Sequence, residues 1–440
     1  MEKPAPRDPQ APLKIIPVAH PLRASVRVPG SKSLTNRALL VAALAEGTTC
    51  LTNALFSDDS RYFAGALQKL GFDVRLDPDR AEMTVIGLGG IIPAENADLF
   101  IGNAGTAARF LTAFLTLGHG EYILDGDTRM RERPISDLVA ALEQLGATIV
   151  NRQSSIVNHK LICPPIQILA SGLPGGSAIV AGNVSSQFLS GLLMVAPYAQ
   201  ALVELIVEGD LNSKPYVDMT LAVMSDFGVE VTRHNYARFV ISPAGYQAKA
   251  KYAIEPDASA ASYFFAAPAI LGGTVRVGGL TRRSKQGDVA FLDVLLQMGC
   301  VVREETDYIE VTGPASLRGV DVDMRDISDT AQTLAAIAPF ASSPTRIRGI
   351  GFISAKETDR IGATCAELAR LGVDVQEHPD GLTIQPCASI QPALIHTCND
   401  HRMAMAFALI GLRIPGLSIE NPACVSKTFP NYFEVLETLR

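Results

Sequence analysis

The sequence predicts an α/β protein assembled from six copies of one unit, three in each of two domains. Three observations carry this. A Leu-Gly-like pair ends a helical stretch at Leu70-Gly71, Leu145-Gly146, Phe227-Gly228, Met298-Gly299 and Leu371-Gly372, at intervals of 75, 82, 71 and 73 residues. A β-branched residue stands three positions after each glycine: Val74, Ile149, Val231, Val302 and Val375. A helix-start signal stands about a dozen residues before each: Asp58, Pro134, Pro215, Asp288 and Asp359, with Pro430 in a sixth copy.

Each element of the unit follows from local chemistry. Glycine suits the left-handed position just past a helix, and the β-branched residue suits the strand that follows. Upstream in every copy lies a second helix start rich in small polar residues, leading into an Ala/Leu-dense run. These starts are Ser33-Leu34-Thr35-Asn36, Asn103-Ala104-Gly105-Thr106, Val184-Ser185-Ser186-Gln187, Asp257-Ala258-Ser259, Asp329-Thr330-Ala331 and Asn399-Asp400-His401. Apolar on all sides, the runs read as buried helices. Stretches such as Tyr122-Ile123-Leu124 and Thr274-Val275-Arg276-Val277 supply the strands between. The sixth copy stops at Arg440 without its closing strand, and Leu13 to Val28 is an unassigned strand-like segment expected to complete it. The expected domains are 31–254 and 1–30 plus 255–440, with 1–12 a loose tail.

Composition narrows the function. Across 440 residues, 45 acidic side chains face 38 Lys and Arg, only 19% of residues are charged and 48% are apolar. A net charge of −7 without a block of basic residues argues against a nucleic-acid binder. The longest apolar stretches, such as Met403 to Leu412, fall short of the roughly 20 residues that a membrane helix needs. Seven cysteines without paired spacing read as reduced core thiols, and the N-terminus lacks a secretory h-region; a cytoplasmic protein is expected.

The few charges gather at the loops preceding the repeated helices. Lys32 and Ser33 with Arg37 open the first; the intervening Ser31 and a missing upstream glycine exclude a P-loop, leaving a helix-start anion site or a solvated lysine beside an ordinary cap. Asn103, Gly105 and Thr106 begin the second, with Arg109 one turn in, again either an anion cradle or a plain cap. Arg129, Arg131 and Arg133 crowd three guanidiniums into five residues, a solvated loop or a set that anions or carboxylates separate. Ser185, Ser186, Gln187 and Ser213 offer neutral donors and Tyr216 a ring, with Lys214 between the last two, suited to a polyhydroxylated substrate, or ordinary hydroxyl caps. Asp329 reads as a helix cap or a general base. Lys356, Glu357 and Arg360 read as a charged cap; His401 and Arg402 stand before the Met-rich helix, His401 read as structural more readily than as catalytic, and Lys427 before the last helix. No metal-ligand spacing exists. Helix N-termini with about half a positive charge each, together with these cations, would hold two small polyanions in one cleft without a metal.

In order along nearly the whole chain, the strings PGSKSLTNRAL (29–39), GNAGTAARFLTA (102–113), GDTRMRERP (126–134), SSQF (185–188), SKPY (213–216), AKETDR (355–360), NDHRMAMAF (399–407) and KTFPNYF (427–433) resemble those of the EPSP synthase family. The resemblance implies a two-domain inside-out α/β barrel of six βαβαββ units. It implies transfer of the enolpyruvyl group of phosphoenolpyruvate to the 5-hydroxyl of shikimate 3-phosphate, with release of phosphate, without cofactor or metal; a monomer is expected. By motif, Lys32, Ser33, Arg37, Ser185, Ser186, Gln187, Ser213, Tyr216, Asp329 and Lys356 resemble the shikimate 3-phosphate set. Lys32, Asn103, Gly105, Arg129, Gln187, Arg360, Arg402 and Lys427 resemble the phosphoenolpyruvate set. Asp329 is expected to take the hydroxyl proton and Glu357 to protonate C3, with Lys32 among the charge-stabilising groups. The first anion to bind is expected to draw the domains together.

The chain departs from the family pattern at two places. Ala108-Arg109-Phe110 replaces the usual Met-Arg-Pro, and loss of the proline is expected to displace the helix foot slightly, altering phosphoenolpyruvate affinity and tolerance of the inhibitor glyphosate. Phe352 to Ala355 lacks the usual Asn and Arg, placing one shikimate contact in doubt. Two other functions are weighed: a UDP-N-acetylglucosamine enolpyruvyl transferase, disfavoured by Ser33 after Lys32 and by the absence of Cys from the 129–133 loop, and a non-catalytic repeat scaffold that binds anions.

Overall fold

The computed structural model describes residues 11–152 and 161–440. Most of the expected tail, residues 1–10, lies outside the described residues; Ala11 and Pro12 are exposed. The chain forms two compact units. One is Gly30–Glu255; the other joins the chain up to Pro29 to Pro256–Arg440. Each has its own hydrophobic core.

Both units repeat one plan. A strand leads through a buried helix to a parallel neighbour, then through a second helix to an antiparallel pair that closes the sheet. Asn96–Phe100, the helix Gly105–Leu115, His119–Asp125, the helix Ser136–Gln144, Thr148–Asn151 and Ile166–Ser171 make one such copy. The described residues hold five four-stranded sheets and one three-stranded sheet, all mixed, which bears out the six-unit α/β reading.

The strand-like N-terminal segment divides its duties. Leu13–Lys14 pairs antiparallel with Ser418–Ile419 and so joins the last copy, as expected. Leu22–Val26 instead runs parallel to Gly273–Gly278 and supplies the first strand of the fourth copy. Tyr252–Ala253 does the same for the first copy, parallel to Glu46–Thr52.

Six helices without a polar stripe form the centres of the cores. In one unit they are Lys32–Leu44, Gly105–Leu115 and Ser186–Val195; in the other, Ala258–Leu271, Ala331–Ile337 and His401–Arg413. Every residue of Gly105–Leu115 and of Ala331–Ile337 is buried. A helix apolar on all sides has no solvent face to give up, so its position is set by neighbours and its N-terminus becomes a fixed point. Residues placed at these N-termini are therefore held rigidly.

The glycines that end the outer helices take the expected left-handed backbone: Gly71, Gly146, Gly228, Gly299 and Gly372 have φ between 79° and 102°. The cysteines are all unbridged, but only Cys163, Cys300, Cys365 and Cys424 are buried; Cys50 and Cys387 are half-buried and Cys398 is exposed. Burial pushes the thiols of Cys300 and Cys424 up to about 12.

The glycine positions separate two physical costs. At Gly299 an added Cβ would approach nothing closer than 3.6 Å, so Gly299→Ala bears only the left-handed penalty of about 1–2 kcal/mol. At Gly71 the Cβ would also lie 2.8 Å from Pro93 Cβ. Chemical denaturation should therefore find Gly71→Ala the less stable variant, and equal midpoints would contradict this account.

Candidate active site

In the unit Gly30–Glu255 the candidate residues stand at the N-termini of the buried helices. Ser31 caps Lys32–Leu44, its hydroxyl accepting from the Leu34 amide at 3.4 Å. Lys32 Nζ lies 3.7 Å from Asp59. Arg37, one turn further, is fully buried, and none of its hydrogen-bond partners is a carboxylate. Its guanidinium donates to Thr220 Oγ1 at 2.8 Å, to the carbonyls of Ser33 and Tyr216 at 3.0 Å each, and to Ser190 Oγ at 3.3 Å. Burial pulls it down to about 10, an unusual value for a guanidinium.

The Phe110 ring lies under this guanidinium, 5.3 Å from it, and is itself fully buried. The aromatic residue that replaces the family's proline thus supplies the face of a cation–π contact. A matching substitution occurs in the other unit, where Lys356 Nζ stands 5.9 Å from the Phe352 ring.

The helix Gly105–Leu115 starts without a side-chain cap, its N-cap being Ala104. The Asn103 side chain instead receives Arg133, whose NH1 donates to Asn103 Oδ1 at 2.8 Å. The three crowded arginines separate as charge repulsion requires. Arg131 binds Asp125 through two bonds of 2.9 and 2.6 Å, which hold that carboxyl below its usual range; Arg129 donates to Glu132 at 2.9 Å near the surface; Arg133 turns inward and is buried. The arginine brought to the Asn103–Gly105 turn is Arg133. A Cβ on Gly105 would come within 2.4 Å of Arg133 NH2. Arg109 donates to the Gly105 carbonyl at 3.2 Å and ties this turn to its own helix.

Ser185 caps Ser186–Val195, accepting from the Gln187 amide, while Gln187 Nε2 donates to Thr106 Oγ1 at 3.3 Å. This bond joins the starts of two buried helices. Ser213, at the N-cap of Lys214–Asp226, is held in the left-handed region at φ 57°. Lys214 pairs with Asp210 at 2.9 Å and so serves its own loop.

In the other unit one buried guanidinium organises the site. Arg360 Nε donates to Asp400 Oδ2 at 2.8 Å, NH2 to Glu357 Oε2 at 2.8 Å, and NH1 to Asp329 Oδ1 at 3.4 Å. Burial disfavours its charge, but Asp400, Glu357 and Asp329 outweigh that and hold its pKa above the ordinary value. Two of these carboxylates meet a second cation: Arg402 NH2 donates to Asp329 Oδ2 at 2.5 Å, and Lys427 Nζ lies 3.7 Å from Glu357 Oε1. Asp329 does not cap its helix; it sits in a 3-10 turn, Ser328–Thr330, with no side-chain cap bond. Asp400 is the cap, accepting from the Arg402 amide at 2.8 Å. His401 is fully buried with Nδ1 3.5 Å from Asp400. Tyr263 is buried nearby, its hydroxyl pushed up to about 12 by burial against the pull of Arg402 and Arg360.

Three carboxylates and three cations make a balanced cluster in which Asp329 and Glu357 are each flanked by two positive groups. Carboxyl groups placed beside cations in this way are suited to exchange protons with a bound substrate.

Comparisons with known proteins place the whole chain. The family pattern of EPSP synthase (3-phosphoshikimate 1-carboxyvinyltransferase) matches residues 17–436. A 3-phosphoshikimate 1-carboxyvinyltransferase of Nostoc punctiforme is 53% identical over 422 residues, covering 96% of this chain and 97% of that one. The chain belongs to the EPSP synthase family. Another relative with that name, from Shewanella baltica, is 49% identical and covers 97% of this chain and 99% of its own. The EPSP synthase fold is shared with the Acinetobacter baumannii EPSP synthase, at a TM-score of 0.80 and 24% identity over 97% of this chain and 98% of that one. The enolpyruvyl transferase NikO of Streptomyces tendae shares it at a TM-score of 0.75 and 19% identity, with 97% of each chain covered.

Around the candidate residues the structure adds two groups that the sequence does not single out, Arg133 against Asn103 and Asp400 against Arg360. Arg133 is one of three arginines in five residues, and only packing separates them. Asp400 carried a recognisable cap signal but nothing to say that its carboxylate also receives Arg360. Among the described residues no helix is long and apolar enough to cross a membrane.

Gly105→Ala tests the tight turn. The added methyl must displace Arg133, so the KM for phosphoenolpyruvate should rise about tenfold or more, as when a charged contact worth ~1.5–3 kcal/mol is lost. Steady-state kinetics with an unaltered KM would show that Arg133 does not serve that substrate.

Proposed function

We propose that the two sets of residues serve the family reaction as follows. Shikimate 3-phosphate is held by Lys32, Ser33, Arg37, Ser185, Ser186, Gln187, Ser213, Tyr216, Asp329 and Lys356. Phosphoenolpyruvate is held by Lys32, Asn103, Gly105, Arg129, Gln187, Arg360, Arg402 and Lys427, with Arg133 supporting the Asn103–Gly105 turn. The substrates are small anions, and neither nucleic acid nor membrane enters the reading.

The observation that carries the chemistry is Arg360 with its three carboxylates. Addition requires the 5-hydroxyl to lose a proton as its oxygen bonds to C2 of phosphoenolpyruvate, while C3 gains one. Asp329, between Arg402 and Arg360, takes the first proton as a carboxylate. Glu357, beside Lys427, enters the step as the carboxylic acid and delivers the second. Elimination reverses the traffic: C3 returns its proton to Glu357, the C2–O bond to phosphate breaks, and Asp329 releases its proton to the departing phosphate. Both carboxyls end as they began, so the cycle closes without an outside acid or base.

Charge develops on the phosphate and on the intermediate, and the cations of the phosphoenolpyruvate set are the groups to meet it. Preorganised contacts of this kind are worth ~3–4 kcal/mol each in the transition state. Asp400 takes no proton in this scheme; it fixes Arg360 and caps the helix that carries Arg402.

Phosphate release from phosphoenolpyruvate plus shikimate 3-phosphate tests the reading, with UDP-N-acetylglucosamine as the competing acceptor. Asp329→Asn should lower kcat by ~100-fold or more, the usual worth of a positioned base, while both substrates still bind by calorimetry. Turnover with UDP-N-acetylglucosamine alone, or an Asp329→Asn enzyme at the unaltered rate, would overturn it.

A further inference from the structure

Two loops carry cations of the proposed phosphoenolpyruvate set, and they arise side by side. Leu394–Ile395 and Ser418–Ile419 run parallel, with Ile395 opposite Ile419. One leads through residues 396–400 to His401 and Arg402; the other leads through Glu420 and Asn421 into the 3-10 stretch Pro422–Lys427.

The backbone at the tips of both loops is unusual. Cys398, Asn399 and Asn421 have φ of 50°, 56° and 43°. Seven non-glycine residues among those described lie in this left-handed region, and three of them are here. Side-chain-bearing residues enter it at a cost, Asn less than most, so something must hold them there. Asn421 Nδ2 donates to Asn399 Oδ1 at 3.0 Å and bridges the loops directly. One step nearer the sheet, His396 Nδ1 and Glu420 Oε2 stand 2.8 Å apart. The Glu420 amide donates to the Ile395 carbonyl at 2.9 Å below that. The rungs end at the asparagine pair, one residue before the Asp400 cap.

We propose that Asn399 and Asn421 form a latch that sets Lys427 and Arg402 as one unit against Glu357 and Asp329. Neither asparagine is a catalytic residue; both are positioning residues, and the proposal rests on the assignment of Arg402 and Lys427 to phosphoenolpyruvate. The reason for a latch is leverage. Lys427 is six residues from Asn421 at the end of a short 3-10 stretch, and its 3.7 Å approach to Glu357 depends on where that stretch begins. Arg402 is three residues from Asn399. Tying the two starting points together converts two independent loop tips into one rigid edge, which keeps both cations in register with their carboxylates.

The test uses Asn421→Gly, which keeps the left-handed backbone and deletes the latch. The KM for phosphoenolpyruvate should rise about fivefold with the KM for shikimate 3-phosphate unchanged, the signature of one misplaced substrate rather than general damage. Asn421→Asp should restore the unmodified values, because the Asn399 amide can turn and donate its NH2 to the new carboxylate. An Asn421→Gly enzyme with unaltered constants, one in which both KM values rise together, or an Asn421→Asp enzyme no better than Asn421→Gly would each overturn the latch. Lys427→Ala separates this from the underlying assignment. If it lowers phosphoenolpyruvate affinity while Asn421→Gly does not, the latch alone fails; if Lys427→Ala changes nothing, the assignment fails and takes the latch with it.

Discussion

A buried arginine surrounded by carboxylates is the constraint on which the candidate chemistry depends. Arg360 is 2% exposed and draws in Asp329, Glu357 and Asp400 from three separate segments of the chain. No pair in this cluster could persist alone, since taking one charge from its partners leaves the rest buried and uncompensated, at about 3–5 kcal/mol. Each member therefore steadies the others. That condition ties the cap of the helix His401–Arg413, the 3-10 turn at Asp329 and the segment ahead of Arg360 into one object.

The other unit holds its buried cation by different means. Arg37 has two carbonyls, two hydroxyls and an aromatic face, and no carboxylate. A guanidinium held this way keeps a net positive charge in a dry place, and an anion is the natural complement. Arg360 is neutralised from within its own unit; Arg37 is not. This difference accounts for the roles assigned to them, one organising proton-transfer groups and the other binding a charged substrate.

Most of the architecture was legible in the sequence because it is written by repetition. A helix end marked by glycine and a strand marked by Val or Ile recur often enough for the spacing to override ambiguity at any one copy. The exceptions lie where repetition fails. Leu22–Val26 was expected in the last copy with Leu13–Lys14, yet it pairs with Gly273–Gly278, because strand pairing across 250 residues leaves no local signal. The site divided in the same way. Asp329, Glu357 and Arg360 stand out as charges in a lightly charged chain, while the approach of Arg133 to Asn103 depends on side-chain directions that no local pattern records. Phe110 was read as the loss of a proline; its gain, a ring beneath Arg37, appears only when residues 73 positions apart are brought together.

Exchange at C3 reports whether the carboxylates carry protons, without depending on product release. Enzyme, phosphoenolpyruvate and shikimate 3-phosphate are mixed in heavy water, and deuterium at C3 is followed by NMR. The unmodified enzyme should place deuterium there, and Glu357→Gln should lose that incorporation while still binding both substrates. Exchange at the full rate in Glu357→Gln would show that another group moves the proton.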